Sequence, residues 1–194
     1  GLFYGDDIEA MLRHAHDQGR ITHADPRCSA GAAAIAGAVA LVSRGHPADS
    51  EMLLDKLQGY ASRFDPTFAA NLRQLRDWVR LPPETAACGI CSAGLPPGVD
   101  SQWCGGISAF VVASVLWALY AFLRNPDNYG ETIATAILPG GDTDTAAAMA
   151  GALSGARLGL SAIPGELMSS LNDRGAWKAE DLVVLADACW QVAQ

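Results

Sequence analysis

The chain has 194 residues, half of them apolar, which is enough to bury the core of one domain without calling for a second. Thirteen basic against twenty-one acidic side chains leave a formal charge of −8, and that excludes the basic footprint needed to track a phosphate backbone. No signal-peptide pattern is visible in these residues, so a cytoplasmic location is the expectation.

Apolar residues recur at helical spacing between recognisable caps rather than alternating, so the chain reads as a succession of helices. The first runs from Ile8 to Gln18, capped by Asp6 or Asp7 and stopped at Gly19. Asp25, with Pro26 at the first helical position, opens a long helix to Arg44 that Gly45 and Pro47 end. A third spans Ser50 to Arg63, and Asp65 with Pro66 repeats the Asp-Pro start for a fourth ending near Val79.

Pro82, Pro83, Pro96 and Pro97, with five glycines from Gly89 to Gly106, mark residues 81–105 as a long irregular connection. The longest apolar run, Ile107 to Leu123, is 17 residues, just short of a usual membrane span, and reads as a buried central helix entered at Gly106. Helices follow from Asn128 to Leu138, Thr145 to Gly159, Gly165 to Leu171 and Ala179 to Val192. No strand and no fixed-period repeat stand out. The reading is one all-α domain over residues 1–194, an orthogonal multi-helix bundle.

Five cysteines, Cys28, Cys88, Cys91, Cys104 and Cys189, are an odd number without a secretory signal, which argues for free thiols. Cys88-x-x-Cys91 followed by Cys104 invites a zinc reading, yet a closed structural site takes four ligands and no fourth lies in ordinary reach. A loop with small polarizable residues accounts for them better. His14, His16 and His46 have no acidic partner at meaningful spacing and read as surface residues.

Gly140-Gly141-Asp142-Thr143-Asp144-Thr145 is the segment richest in chemistry. Two carboxylates and the Thr145 hydroxyl sit at a loop-to-helix junction that two glycines let fold around a cation, and oxygen donors suit Mg²⁺ or Mn²⁺. Two carboxylates alone rarely hold such an ion, so further acidic ligands must come from elsewhere. The competing reading is helix capping, but two carboxylates flanked by threonines exceed what a cap needs. A phosphatase with paired aspartates would need a buried strand before Asp142, and Tyr129 to Leu138 reads as helix. In the helix that follows, Ala147, Gly151, Gly155 and Gly159 recur every four residues, a stripe that lets another helix approach closely and hold the aspartates in place.

Read together with that helix, residues 140–159 resemble the ADP-ribosylglycohydrolase family, which includes the dinitrogenase reductase-activating glycohydrolases. Thr22-His23-Ala24-Asp25-Pro26-Arg27 is similar to the family's Thr-His-x-x-Pro segment, and Gly105-Gly106-Ile107-Ser108 to its second substrate loop. The resemblance implies an all-α fold of that type and a binuclear Mg²⁺ or Mn²⁺ centre that removes ADP-ribose from modified protein side chains or related compounds. It implies Asp142, Asp144 and Thr145 as metal ligands, the two aspartates acting in catalysis through the metals, and His23, Gly105, Gly106 and Ile107 as substrate contacts. Neither nucleic acid nor membrane is expected as a partner.

The family's opening Gly-Asp-rich helix and acidic Thr-Asp-Asp segment, which supply the remaining ligands and the general acid or base, are not found here. Gly1-Leu2-Phe3-Tyr4-Gly5 resembles the stretch just after the family's first ADP-ribose-binding loop. The chain therefore reads as the C-terminal portion of such a domain without its N-terminal helices, the rest cut away, truncated in the gene, or carried as a separate chain. The expectation is half a metal site, much of a pocket, and little or no hydrolysis by this segment alone. The alternative is a catalytically inactive ADP-ribose-binding or structural relative.

Overall fold

Three of the first four helices begin where an aspartate satisfies a free backbone N–H of the first turn. In the computed structural model, which describes residues 1–46, 50–96, 99 and 105–193, helix α1 (Ile8–Gly19) is capped by Asp7, which accepts from the Ala10 N–H at 2.9 Å. Helix α2 (Pro26–Ser43) is capped by Asp25 through the Arg27 N–H, and α4 (Pro66–Trp78) by Asp65 through the Phe68 N–H. Helix α3 (Ser50–Ser62) lies between them and packs on both α2 and α4. The expected stop at Pro47 lies outside the described residues, as do Pro97, Gly98 and Cys104 of the connection.

Residues 81–105 are not one irregular connection, because they contain a helix, α5 (Pro83–Ser92). Two adjacent prolines suggest a loop, but Pro83 stands at the first helical position, where a missing N–H costs nothing. Buried Ala86, Ala87 and Ile90 hold its inner face against the core. The central helix α6 (Val111–Arg124) begins later than Gly106, since residues 105–110 run outside the helix and bond to another loop.

Helix α6 buries twelve residues, from Val112 to Leu123, and packs against α2, α4, α5, α7 and α8. A helix apolar on every side is stable only inside such a ring. Trp117, Tyr120 and Phe122 are fully buried, and side chains of this size contribute about 1.5–3 kcal/mol each by leaving water. Their polar ends are satisfied: the Trp117 indole N–H donates to the Ala136 carbonyl at 2.9 Å, and the Tyr120 hydroxyl to the Leu81 carbonyl at 2.8 Å. Helix α2 is long and apolar enough to cross a membrane by length and composition, and here it is a core helix with ten buried residues.

Helices α7 (Tyr129–Ile137) and α8 (Thr143–Leu158) form a pair against α6. A 3₁₀ turn (Leu160–Ala162), α9 (Gly165–Ser170) and α10 (Ala179–Val192) complete the chain, α10 burying only Ala179. The described residues hold ten α-helices and no strand, only the isolated bridges Ile107–Gly141 and Asn172–Lys178. The fold is the all-α bundle expected, and the lead-in to the Asp142 turn is the helix Tyr129–Ile137 rather than a strand.

The glycine stripe on α8 meets a packing demand at one position. A Cβ on Gly151 would lie 3.2 Å from Ile133 Cδ1 and 3.5 Å from the Tyr129 hydroxyl, so α7 comes close there. Gly155 faces open space, and Gly159 ends the helix with φ +79°.

Candidate metal and substrate site

At the start of α8 the two aspartates behave unlike the other acidic residues that open helices. Asp142 occupies the N-cap position, yet its carboxylate accepts nothing from the backbone N–H groups below it. Asp7, Asp25, Asp65 and Asn128 all cap their helices through the side chain. Asp142 Oδ1 instead accepts from the Thr145 hydroxyl at 2.8 Å. The Asp144 carboxyl is held below the usual carboxylate range, first by its hydrogen bond with the Asp142 carboxyl and then by the N–H groups of Thr145 and of Asp144 itself. The oxygens of Asp142, Asp144 and Thr145 thus gather at one end of α8.

No lysine or arginine forms an ion pair with either aspartate among the described residues. Two neighbouring carboxylates with no basic partner repel when both are ionised, and a cation between them relieves that repulsion. The donor set is all oxygen, which fits a hard divalent ion. Among the described residues no group of three or more His, Cys, Asp or Glu side chains gathers to complete such a site.

The second loop is stitched directly to this one. The Ile107 N–H donates to the Gly140 carbonyl at 3.0 Å, and the Asp142 N–H to the Ile107 carbonyl at 2.7 Å, making a one-residue parallel bridge. Only glycines permit that crossing: a Cβ on Gly141 would fall 2.1 Å from the Ile107 oxygen, and one on Gly106 2.4 Å from the Gly140 carbonyl carbon. Both also hold left-handed backbone, at φ +83° and +126°. Gly105 is exposed, whereas Gly106 and Ile107 are buried and support the junction.

A cavity of about 1260 Å³ opens beside the junction, with Thr145 on its wall and His23 on the same wall system. That is room for a nucleotide-sized ligand. His23 is exposed and its Nδ1 lies 2.9 Å from the Thr22 hydroxyl. Asp25 and Arg27 form a two-point ion pair, through Nε at 3.0 Å and Nη2 at 2.6 Å. This pairing and the Arg27 backbone N–H hold the Asp25 carboxyl at about 2. The Arg27 guanidinium lies over the Phe110 ring, 5.2 Å from its centroid, so α2 and the lead-in to α6 meet at the cavity.

The lining residues include His14, Arg27 and Phe110, to which sequence alone assigned no site role of their own. His14, expected as an isolated surface residue, stacks on Tyr4 with ring centroids 4.2 Å apart. His16, also expected at the surface, is half-buried; its Nδ1 lies 2.8 Å from the Ser29 hydroxyl and its ring stacks on Phe64. His46 is half-buried at the end of α2. Neither stacking partner is at a spacing that periodicity would flag. Cys28, Cys88 and Cys189 are free thiols, and burial pushes the Cys28 thiol above its ordinary pKa.

Comparison with curated proteins finds no match. The family model for ADP-ribosylglycohydrolases matches residues 1–194, a range that contains all three motif segments, and the chain belongs to the ADP-ribosylglycohydrolase family.

Proposed function

We propose that this chain is part of a metal-dependent hydrolase that removes ADP-ribose from modified protein side chains or related ADP-ribosyl compounds. Family membership supports an ADP-ribosylglycohydrolase-like hydrolase in general. The observation that carries the finer reading is the Asp142 carboxylate, which sits at a helix start without capping it and faces Asp144 with no basic partner among the described residues. Asp142, Asp144 and Thr145 would hold Mg²⁺ or Mn²⁺ as one side of a binuclear centre, the remaining ligands coming from outside the described residues. Such ions, when bound, polarise ribose oxygens and lower the pKa of a water.

The chain's own groups then have distinct tasks. His23, which lines the cavity, would contact a ribose or phosphate together with the exposed Gly105 backbone, which lies outside the cavity lining, while Gly106 and Ile107 hold the loop to Asp142. The cavity beside Thr145 would enclose the ADP-ribosyl group. A cytoplasmic location belongs to the same proposal.

Mn²⁺ titration of the full-length protein as wild type, Asp142→Asn and Asp144→Asn tests it. Each substitution is expected to weaken Mn²⁺ binding by about tenfold or more, since each removes a charged oxygen donor. Equal affinity in all three would remove the metal reading and leave a structural or binding relative. Rapid hydrolysis of an ADP-ribosylated substrate by this segment alone would show that no ligand is missing.

A further inference from the structure

The peptide joining Gly106 to Ile107 is held at both ends. Its N–H donates to the Gly140 carbonyl, and its carbonyl accepts from the Cys91 thiol with Sγ 3.3 Å from the oxygen. In a trans peptide these two groups point in opposite directions, so the two bonds together fix the rotation of the peptide plane. Glycine has no side chain to restrict its backbone, so at Gly106 the restraint comes from these bonds and from the close crossing with Gly140 and Gly141. Gly106 is buried, and a buried carbonyl turned away from water needs a partner.

The thiol takes an unusual direction to supply that partner. The neighbouring Ser92 hydroxyl donates to the Cys88 carbonyl one turn back, the local bond that small polar residues make in helices. Cys91 reaches across to a residue fifteen positions away. Its own helix is firmly seated: a Cβ on Gly89 would lie 2.7 Å from Trp78 Nε1, and Ile90 is fully buried. A continuous path runs from α5 through Gly106 and Ile107 to the Asp142 N–H.

Resting on the cation reading above, we propose that Cys91 is a positioning residue of the half-site. By holding the Gly106 carbonyl, its thiol fixes the Gly106–Ile107 peptide, which leads directly into the Ile107 carbonyl that accepts the Asp142 N–H, and so sets how well the Asp142, Asp144 and Thr145 oxygens are placed for a divalent cation. Cys91 touches neither cation nor substrate in this role.

The test compares Cys91→Ala, Cys91→Ser and Ile90→Val, the last a packing control on the same helix, by Mn²⁺ titration and by amide hydrogen exchange at Ile107 and Asp142. Cys91→Ala is expected to weaken Mn²⁺ binding about tenfold, the usual size for an outer-shell partner, and to speed exchange at both amides about tenfold. Cys91→Ser, which keeps a donor, is expected to restore both towards wild type. Ile90→Val is expected to lower the melting temperature and leave both unchanged. Unchanged exchange in Cys91→Ala, or the same change in Ile90→Val, overturns the proposal. Affinity that falls with Asp142→Asn but not with Cys91→Ala overturns the positioning role alone. Equal affinity in wild type and Asp142→Asn overturns the cation reading and takes the proposal with it.

Discussion

The Thr145 hydroxyl donates to Asp142 Oδ1 across 2.8 Å, tying the first turn of α8 to the residue that precedes it. This bond turns the Asp142 carboxylate away from the helix N–H groups and towards Asp144. The carboxylate is therefore not used to cap its own helix, which is unusual for an aspartate in the capping position.

Asp65→Ala and Asp142→Ala should differ in urea denaturation. Asp65 caps α4 through the Phe68 N–H, and losing such a cap costs about 1 kcal/mol. Asp142 makes no such bond, so its removal should change stability by less than about 0.5 kcal/mol. A full capping penalty at Asp142 would return it to an ordinary structural role.

Two glycines of one motif region should respond in opposite directions. Gly155 lies inside α8 with open space around it, so Gly155→Ala should stabilise the protein by about 0.5–1 kcal/mol. At Gly141 a Cβ would meet the Ile107 oxygen at 2.1 Å with φ +83°, so Gly141→Ala should destabilise by more than about 1 kcal/mol. It should also abolish Mn²⁺ binding, because the Asp142 N–H loses its partner. Thermal denaturation with metal titration reads both.

The Asp25 carboxyl, lowered from 3.8 to about 2, makes folding sensitive to acid. Its folded pKa lies below its unfolded one, so the stabilisation is complete above about pH 4 and is lost as pH falls towards 2. Asp25→Asn keeps a good cap but cannot ionise. The stability difference between wild type and this variant should be constant from pH 7 to 5 and shrink below about pH 4. A difference that does not change with pH would mean that the Arg27 pairing contributes nothing.

Trp117→Phe keeps most of the buried ring but leaves the Ala136 carbonyl without its donor. An unsatisfied buried acceptor costs about 1–3 kcal/mol, and the denaturation midpoint should fall accordingly. A smaller loss would mean that the carbonyl finds water.

Most helix starts were legible because their causes are local. Asp25-Pro26 and Asp65-Pro66 place a cap and a preset φ side by side, and both open helices at the expected residue. Pro82-Pro83 misled for the same reason: two prolines look like a loop, and only the burial of Ala86 and Ile90 against α6 shows that the second begins a helix. The late start of α6 was equally hidden, since Ser108, Ala109 and Phe110 are no worse in a helix than their neighbours. What keeps them out is the bond between Ile107 and a loop more than thirty residues further on.

The sequence by itself determined the all-helical class, the family, and the oxygen-rich turn at residues 140–145, because periodicity, caps and contiguous motifs are written within a few residues of one another. Tertiary structure alone decided that the Gly105–Ile107 loop crosses that turn, that Asp142 leaves its own helix uncapped, and that Cys91 reaches Gly106. Hydrogen bonds between distant segments depend on how helices pack, and packing leaves no periodic trace along the chain.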